Sequence, residues 1–185
     1  MIKKLLVVGA HSADFVWRAG GTIAKAVEQG GEVLNVALSY GERGESGELW
    51  KENPNRSVEE VKHIRHQQSE SASQILGCTF KCLNWGDYPM TVNDARTEEL
   101  AEIIRTFKPN AILTHTERDP FNPDHPLAFT TVLPRLSSVS IHQRGFVSNH
   151  TNPNFQILYP ILLLISLLFL KKKLLQWRAW VRKVI

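Results

Sequence analysis

The run "KLLVVG" at residues 4–9 has apolar side chains at consecutive positions and stops at a glycine, and similar runs return at Val33–Ser39 and Ala111–His115. Segments of this kind have no polar face to give to water, so they read as strands covered on both sides. Helical signals separate them. One helix is expected from about Gly21 to Gln29, closed by Gly30 and Gly31, and a second from Ser57 to Leu76 with Gly77 as its C-cap. Thr79–Leu83 reads as a short strand, Ala95–Phe107 as an amphipathic helix, and a further helix is expected to start near Asp124. Alternation of strand and helix predicts an α/β fold, a mostly parallel sheet with helices on both faces. Ligands in such sheets sit beyond the carboxyl ends of the strands. The loops containing His11 and Asp14, Tyr40–Glu48 and His115–His125 should therefore converge on one edge.

The 185 residues suit one domain with a real core. Two cysteines, Cys78 and Cys82, are too few for a disulfide framework and lack the partners of a structural zinc site. No secretory signal precedes the first strand, so a cytoplasmic location is expected. Gly20 and Gly21 open a helix without the spacing of a dinucleotide fingerprint, and no P-loop occurs, which argues against a nucleotide cofactor.

The segment "GAHSAD" places His11 and Asp14 just past the first strand. Together with a histidine from "DPFNPDHP" they would supply two nitrogens and one carboxylate, a set that holds catalytic zinc with one position open. The spacing equally suits a loop histidine followed by a helix N-cap.

Longer stretches carry a resemblance. "LLVVGAHSADFVWRAGGTIAKAVEQGGEVLNVALSYGERGES", "RHQQSESASQILG" and "NPDH" resemble the PIG-L/LmbE family of zinc-dependent de-N-acetylases over about residues 3–133. That resemblance implies a Rossmann-like fold, Zn2+ held by His11, Asp14 and His125, and Asp124 in support of a neighbouring histidine. Two positions depart from the deacetylase pattern. Ala13 stands where those enzymes place the aspartate that activates water, and Asn122 where they place a histidine near the oxyanion. A methyl group takes no proton, so amide hydrolysis would lose its general base, a contribution worth about 10²–10⁴-fold.

"AHSADFVWRAGG", "LSYGERGES", "GDYP" and "DPFNPDHP" are similar to a sub-branch that hydrates 4-oxalomesaconate (4-carboxy-2-hydroxymuconate), a tricarboxylic acid of aromatic compound catabolism. In that chemistry the base comes from elsewhere, and the loop "SYGERGESGELW" offers Glu48 first and Glu45 next. Arg43 is a candidate clamp for a substrate carboxylate, because a guanidinium binds one bidentately. Asn122 is a second candidate for substrate contact. Arg65 either reaches the site or accompanies Glu70 on a charged helix, and His115 is a candidate support for the metal ligands. His63 and His66 read as surface residues, and Trp17, Trp50 and Trp85 as packing residues. The alternatives are a de-N-acetylase of an amino sugar or related amide, and a degenerate, membrane-adherent product without turnover. The intact family implies a homo-oligomer acting on a small molecule, with no nucleic-acid partner and no genuine membrane span.

Charge divides the chain. Residues 1–124 hold all 18 acids and 14 of the 22 Lys/Arg, whereas residues 125–185 hold eight Lys/Arg and no acid. The family pattern also stops near Leu133, and beyond it the apolar run Ile157–Leu170 leads into a basic flank. Fourteen residues fall short of the roughly 20 that span a bilayer. Shifted by two nucleotides with permitted codons, this tail yields elements similar to the sub-branch's C-terminus. The expected organisation is thus a metal-dependent domain over 1–133 and an aberrant, out-of-frame tail over 134–185.

Overall fold

A computed structural model describes residues 2–115 and the backbone of Gln156–Leu158. The elements in chain order are β1 (Lys4–Gly9), a π-helical turn (Phe15–Ala19), α1 (Gly20–Glu28), β2 (Glu32–Ala37), α2 (Gly47–Glu52) and α3 (Val58–Leu76). They continue with β3 (Thr79–Cys82), α4 (Asp94–Phe107), β4 (Ala111–Thr114) and β5 (Gln156–Leu158). The five strands form one sheet in the order β3-β2-β1-β4-β5, and each neighbouring pair is parallel. β1 is central: Leu5 lies beside Val33 of β2 and beside Ala111 of β4.

The unbroken apolar character of β1 has a direct cause, since both of its faces are covered. Leu5 and Val7 pack with Ile23 and Ala26 of α1, Ala72 of α3 and Phe80. Leu6 and Val8 pack on the opposite face with Leu100 of α4, Trp85 and Ile112. Leu5 and Leu6 are fully buried. At about 25 cal/mol per Å² of apolar surface, such side chains contribute on the order of 2 kcal/mol each.

Helix ends follow local chemistry. Ser57 and Glu60 form a reciprocal capping box at the start of α3: Glu60 N–H donates to Ser57 Oγ at 3.2 Å, and Ser57 N–H donates to Glu60 Oε2 at 2.6 Å. Gly77 ends the helix at φ 75°, a left-handed conformation that favours glycine. Asn93 caps α4 by accepting from Arg96 N–H.

Every strand and long helix expected from sequence within the described residues is present, with ends shifted by one or two positions. Three elements go beyond that expectation. The π-turn and the six-residue α2 are too short to show a helical period, and β5 lies in the tail, where the three residues Gln156–Leu158 extend the sheet beside β4. The helix expected near Asp124 lies outside the described residues. Trp85 is buried and Trp50 half-buried as expected, but Trp17 is 66% exposed, because the π-turn rotates it away from the sheet. His63 is exposed, whereas His66 is half-buried between the rings of Tyr40 and Phe80. Among the described residues no helix is long and apolar enough to cross a membrane.

Replacing Ser57 with alanine removes one half of the α3 capping box. Urea unfolding should show a loss of about 1 kcal/mol, with the slope against denaturant unchanged.

Candidate metal centre

The parallel ladder runs on past the strands and fixes the loops that follow them. Leu38 N–H donates to Gly9 O, Ser39 N–H to Ala10 O, and Trp85 N–H to Leu38 O. Ser12 Oγ donates to Tyr40 O at 2.7 Å, tying the first loop to the second. Two glycines permit the close approach. A Cβ on Gly9 would lie 2.9 Å from Asp14 Cβ. One on Gly41, at φ 67°, would sit 3.1 Å from Glu45 Cβ and 3.2 Å from His11 Cβ.

His11 is buried at the centre of this junction. Its Nε2 lies 3.2 Å from Asp87 Oδ1, and an ionised carboxylate only accepts, so Nε2 carries a proton and donates it. The other ring nitrogen, Nδ1, is 3.2 Å from Glu45 Oε1 and 3.9 Å from Asp14 Oδ2. Asp87 is itself held: its Oδ2 accepts Gly44 N–H at 2.7 Å and Arg43 N–H at 3.2 Å. Its own N–H donates to Oε1 of the buried Glu42 at 3.1 Å. Asp14 Oδ2 accepts His11 N–H at 2.8 Å and lies 3.2 Å from His115 Nε2, while Oδ1 accepts Arg18 Nε–H at 3.2 Å. Arg65 approaches Glu45 Oε2 with Nη2 at 3.8 Å; its Nε and Nη1 donate to Tyr40 O and Gln68 Oε1.

Electrostatics follow from these contacts. Burial by itself favours neutral His11, but the hydrogen bonds to Asp87 and Glu45 outweigh it and push the imidazole up to about 10. Burial likewise opposes ionisation of Asp14, yet the His115 contact and the His11 N–H hold its carboxyl well below the usual range. Asp87 is lowered for a similar reason: His11 and the Gly44 N–H override its desolvation.

His11, Asp14 and Glu45 each offer one ligand atom, all within 4.8 Å of one another. Atoms bound at about 2.0–2.1 Å in a tetrahedral shell lie roughly 3.3 Å apart. The observed 3.2 and 3.9 Å around Nδ1 therefore fit a small divalent cation. The donor types fit as well, being one imidazole presented by a carboxylate on its far nitrogen plus two anionic oxygens. Of these, His11 and Asp14 would hold the metal, which would act there as a Lewis acid, and the Glu45 carboxylate would face it.

Of the residues singled out from sequence, His11, Asp14, Glu45, Arg65 and His115 are brought together here. Arg43 lends its backbone N–H to Asp87 and leaves its side chain exposed. Glu48 is elsewhere, on the exposed side of α2 in an ion pair with Lys51 at 2.6 Å. The first turn of α2 carries it away from the loop that holds Glu45. Asn122, Asp124 and His125 lie outside the described residues. Sequence reasoning did not assign Asp87, Glu42 or Arg18. "GDYP" marked the place of Asp87, but nothing local shows that the carboxylate reaches back to His11.

A family model described as "PIG-L: GlcNAc-PI de-N-acetylase" matches residues 6–134, and the chain belongs to this family. It is 46% identical over 126 residues to a 4-oxalmesaconate hydratase of Pseudomonas putida, covering 68% of this chain and 48% of that protein. The fold matches the crystal structure of GalB, the 4-carboxy-2-hydroxymuconate hydratase of Pseudomonas putida, with a TM-score of 0.70. The two share 38% identity, and the match covers 85% of this chain and 63% of that one. An N,N'-diacetylchitobiose deacetylase from Pyrococcus horikoshii aligns with a TM-score of 0.66 at 26% identity, covering 77% of this chain and 51% of that one. The chain thus spans about half the length of the curated hydratase it matches.

With the His11 imidazole at about 10 in the metal-free protein, a metal at Nδ1 must displace a proton at neutral pH. Apparent zinc affinity should therefore rise by about tenfold per pH unit between pH 7 and 9. Competition against a chelator, corrected for the chelator's own protonation, measures this; a flat profile would contradict it.

Proposed function

We propose that this chain derives from a zinc-dependent hydro-lyase that adds water to 4-oxalomesaconate, with Glu45 as the general base. One observation carries the reading. Glu45 sets a carboxylate oxygen 3.2 Å from the ligand nitrogen of His11, while the base position of the deacetylases is filled by Ala13. The similarity to the Pseudomonas putida hydratase supports the same choice.

When bound, zinc would polarise a substrate oxygen and so activate the conjugated double bond for attack. His11, Asp14 and His125 would hold it, with Asp124 in support of His125. Glu45 accepts the proton of the attacking water, and its side chain is about one-third exposed, open enough to receive that water. Arg65, largely buried behind Glu45, holds that carboxylate in place rather than clamping substrate. Glu48, exposed on α2 and paired with Lys51, is the second candidate for this work. The exposed guanidinium of Arg43 and the amide of Asn122 are left to meet substrate carboxylates. The substrate is a small anionic acid, the setting a reducing cytoplasm that suits the unbridged Cys78 and Cys82, and the intact assembly a homo-oligomer.

Hydration of 4-oxalomesaconate by the zinc-loaded chain, followed by ultraviolet absorbance, tests this directly. Glu45→Gln should lower kcat by about 10²–10⁴-fold, whereas Glu48→Gln should change it less than about threefold. Release of acetate from an N-acetylglucosaminyl substrate, without hydration, would support the deacetylase reading instead.

A second proposal concerns the tail. The family model stops at residue 134, where acidic residues have already ceased, and we infer that residues from about 134 onward are read out of frame. A chain so altered would turn over more slowly than an intact family member, so the Glu45 and Glu48 variants are compared with this chain's own rate. Sequencing the gene across codons 130–185 should reveal an insertion or deletion near the boundary. An intact frame shared by active relatives overturns the inference.

A further inference from the structure

The strand order reverses between β1 and β4, and a crevice lies there at the carboxyl ends of the two strands. Such reversal points are where open parallel sheets take their ligands. Asp14, Arg18 and His115 line the crevice above an apolar floor that includes Val7 and Leu113. Arg18 enters from the π-turn, which folds its side chain back over Asp14. Its Nε–H donates to Asp14 Oδ1 at 3.2 Å, and this contact fixes the plane of the guanidinium. The terminal Nη pair has no acceptor among the described residues, and the side chain remains 42% exposed.

The other two arginines of the site are differently used. Arg65 spends its donors on Tyr40, Gln68 and Glu45, and Arg43 stands on the outer loop. A polycarboxylate approaching His11 would meet the charges of Asp14, Glu45 and Asp87, and it needs a cation close to the metal ligands. Arg18 is the guanidinium that touches a ligand residue and still has its paired donors to give.

We propose that Arg18 and the β1/β4 crevice form a carboxylate subsite. The Nη edge of Arg18 binds one carboxylate bidentately at the mouth of the crevice, and its Nε contact with Asp14 supplies the pre-organisation. This assignment rests on the hydratase reading for its choice of substrate, but carboxylate binding can be measured without turnover.

The probe is tricarballylate, an unreactive tricarboxylate, titrated calorimetrically into the zinc-loaded full chain. Arg18→Gln should weaken its binding by between about tenfold and a hundredfold, as expected for loss of charged hydrogen bonds. Arg18→Lys, which keeps the charge but not the paired geometry, should fall between the two. Zinc affinity, measured in parallel, should change less than about threefold in both variants, and thermal unfolding reports whether they fold. Unaltered tricarballylate affinity in both variants would overturn the proposal, as would a wild type that does not bind the probe. A loss of zinc affinity matching the loss of probe binding in both variants would show that Arg18 acts only through Asp14, and it also overturns the subsite. Probe binding together with release of acetate from an N-acetylglucosaminyl substrate, and no hydration, would instead sink the hydratase reading and leave the subsite in place.

Discussion

One buried carboxylate ties the centre together. Asp87 accepts from His11 Nε2, Arg43 N and Gly44 N, so a single side chain joins the loops after β1, β2 and β3. Charge-assisted bonds of this kind are stronger than neutral ones, and each also satisfies a group that burial would otherwise leave costly. The bond to His11 fixes which ring nitrogen faces the ligand cluster. The bonds to Arg43 and Gly44 fix the turn from which Glu45 projects, since Glu45 N–H closes that turn on Gly41 O. The orientation of the imidazole and the position of the carboxylate facing it are therefore not independent. Glu42 closes the clasp from below by accepting the Asp87 N–H.

On the proposed function, this linkage is how the chain would forgo a carboxylate at position 13. In a centre whose base sat beside the ligands on the first loop, β1 alone would place it. Here the first loop keeps His11 and Asp14, and the second loop supplies Glu45 from across a glycine that allows contact within 3.2 Å. The outcome is a site with an excess of negative oxygen around one imidazole. A small divalent cation satisfies that arrangement, and in its absence a proton on His11 serves.

Sequence revealed the sheet because its strands are buried on both faces and its long helices carry both a period and end signals. Ser57 with Glu60, and Gly77, are local chemistry that needs no tertiary knowledge. His11, Asp14 and Glu45 were also legible, the first two by spacing and the third by its place past β2. Glu48 looked equal or better in sequence, because three residues separate it from Glu45 and nothing in composition distinguishes them. The difference arises where α2 begins, and a six-residue helix leaves too faint a period to read. Asp87 lay hidden for another reason: its partner is 76 residues away, and only folding of the sheet brings them together. Arg18 had no reading in sequence, because its contact with Asp14 exists only once the π-turn has formed.

The central place of β1 has a temporal side. Its partner β2, and β3 on the far side of β2, follow soon after it along the chain, and with them come Glu45 and Asp87. Its other neighbour arrives much later, for Leu5 lies beside Ala111. Contacts of long sequence separation form slowly, because the intervening chain must first be closed. During synthesis the His11–Glu45–Asp87 half can assemble while β4 and the His115 that follows it are still unmade. Nascent chains should thus be able to capture a cation before the crevice beside it exists, with ligand chemistry maturing ahead of substrate recognition.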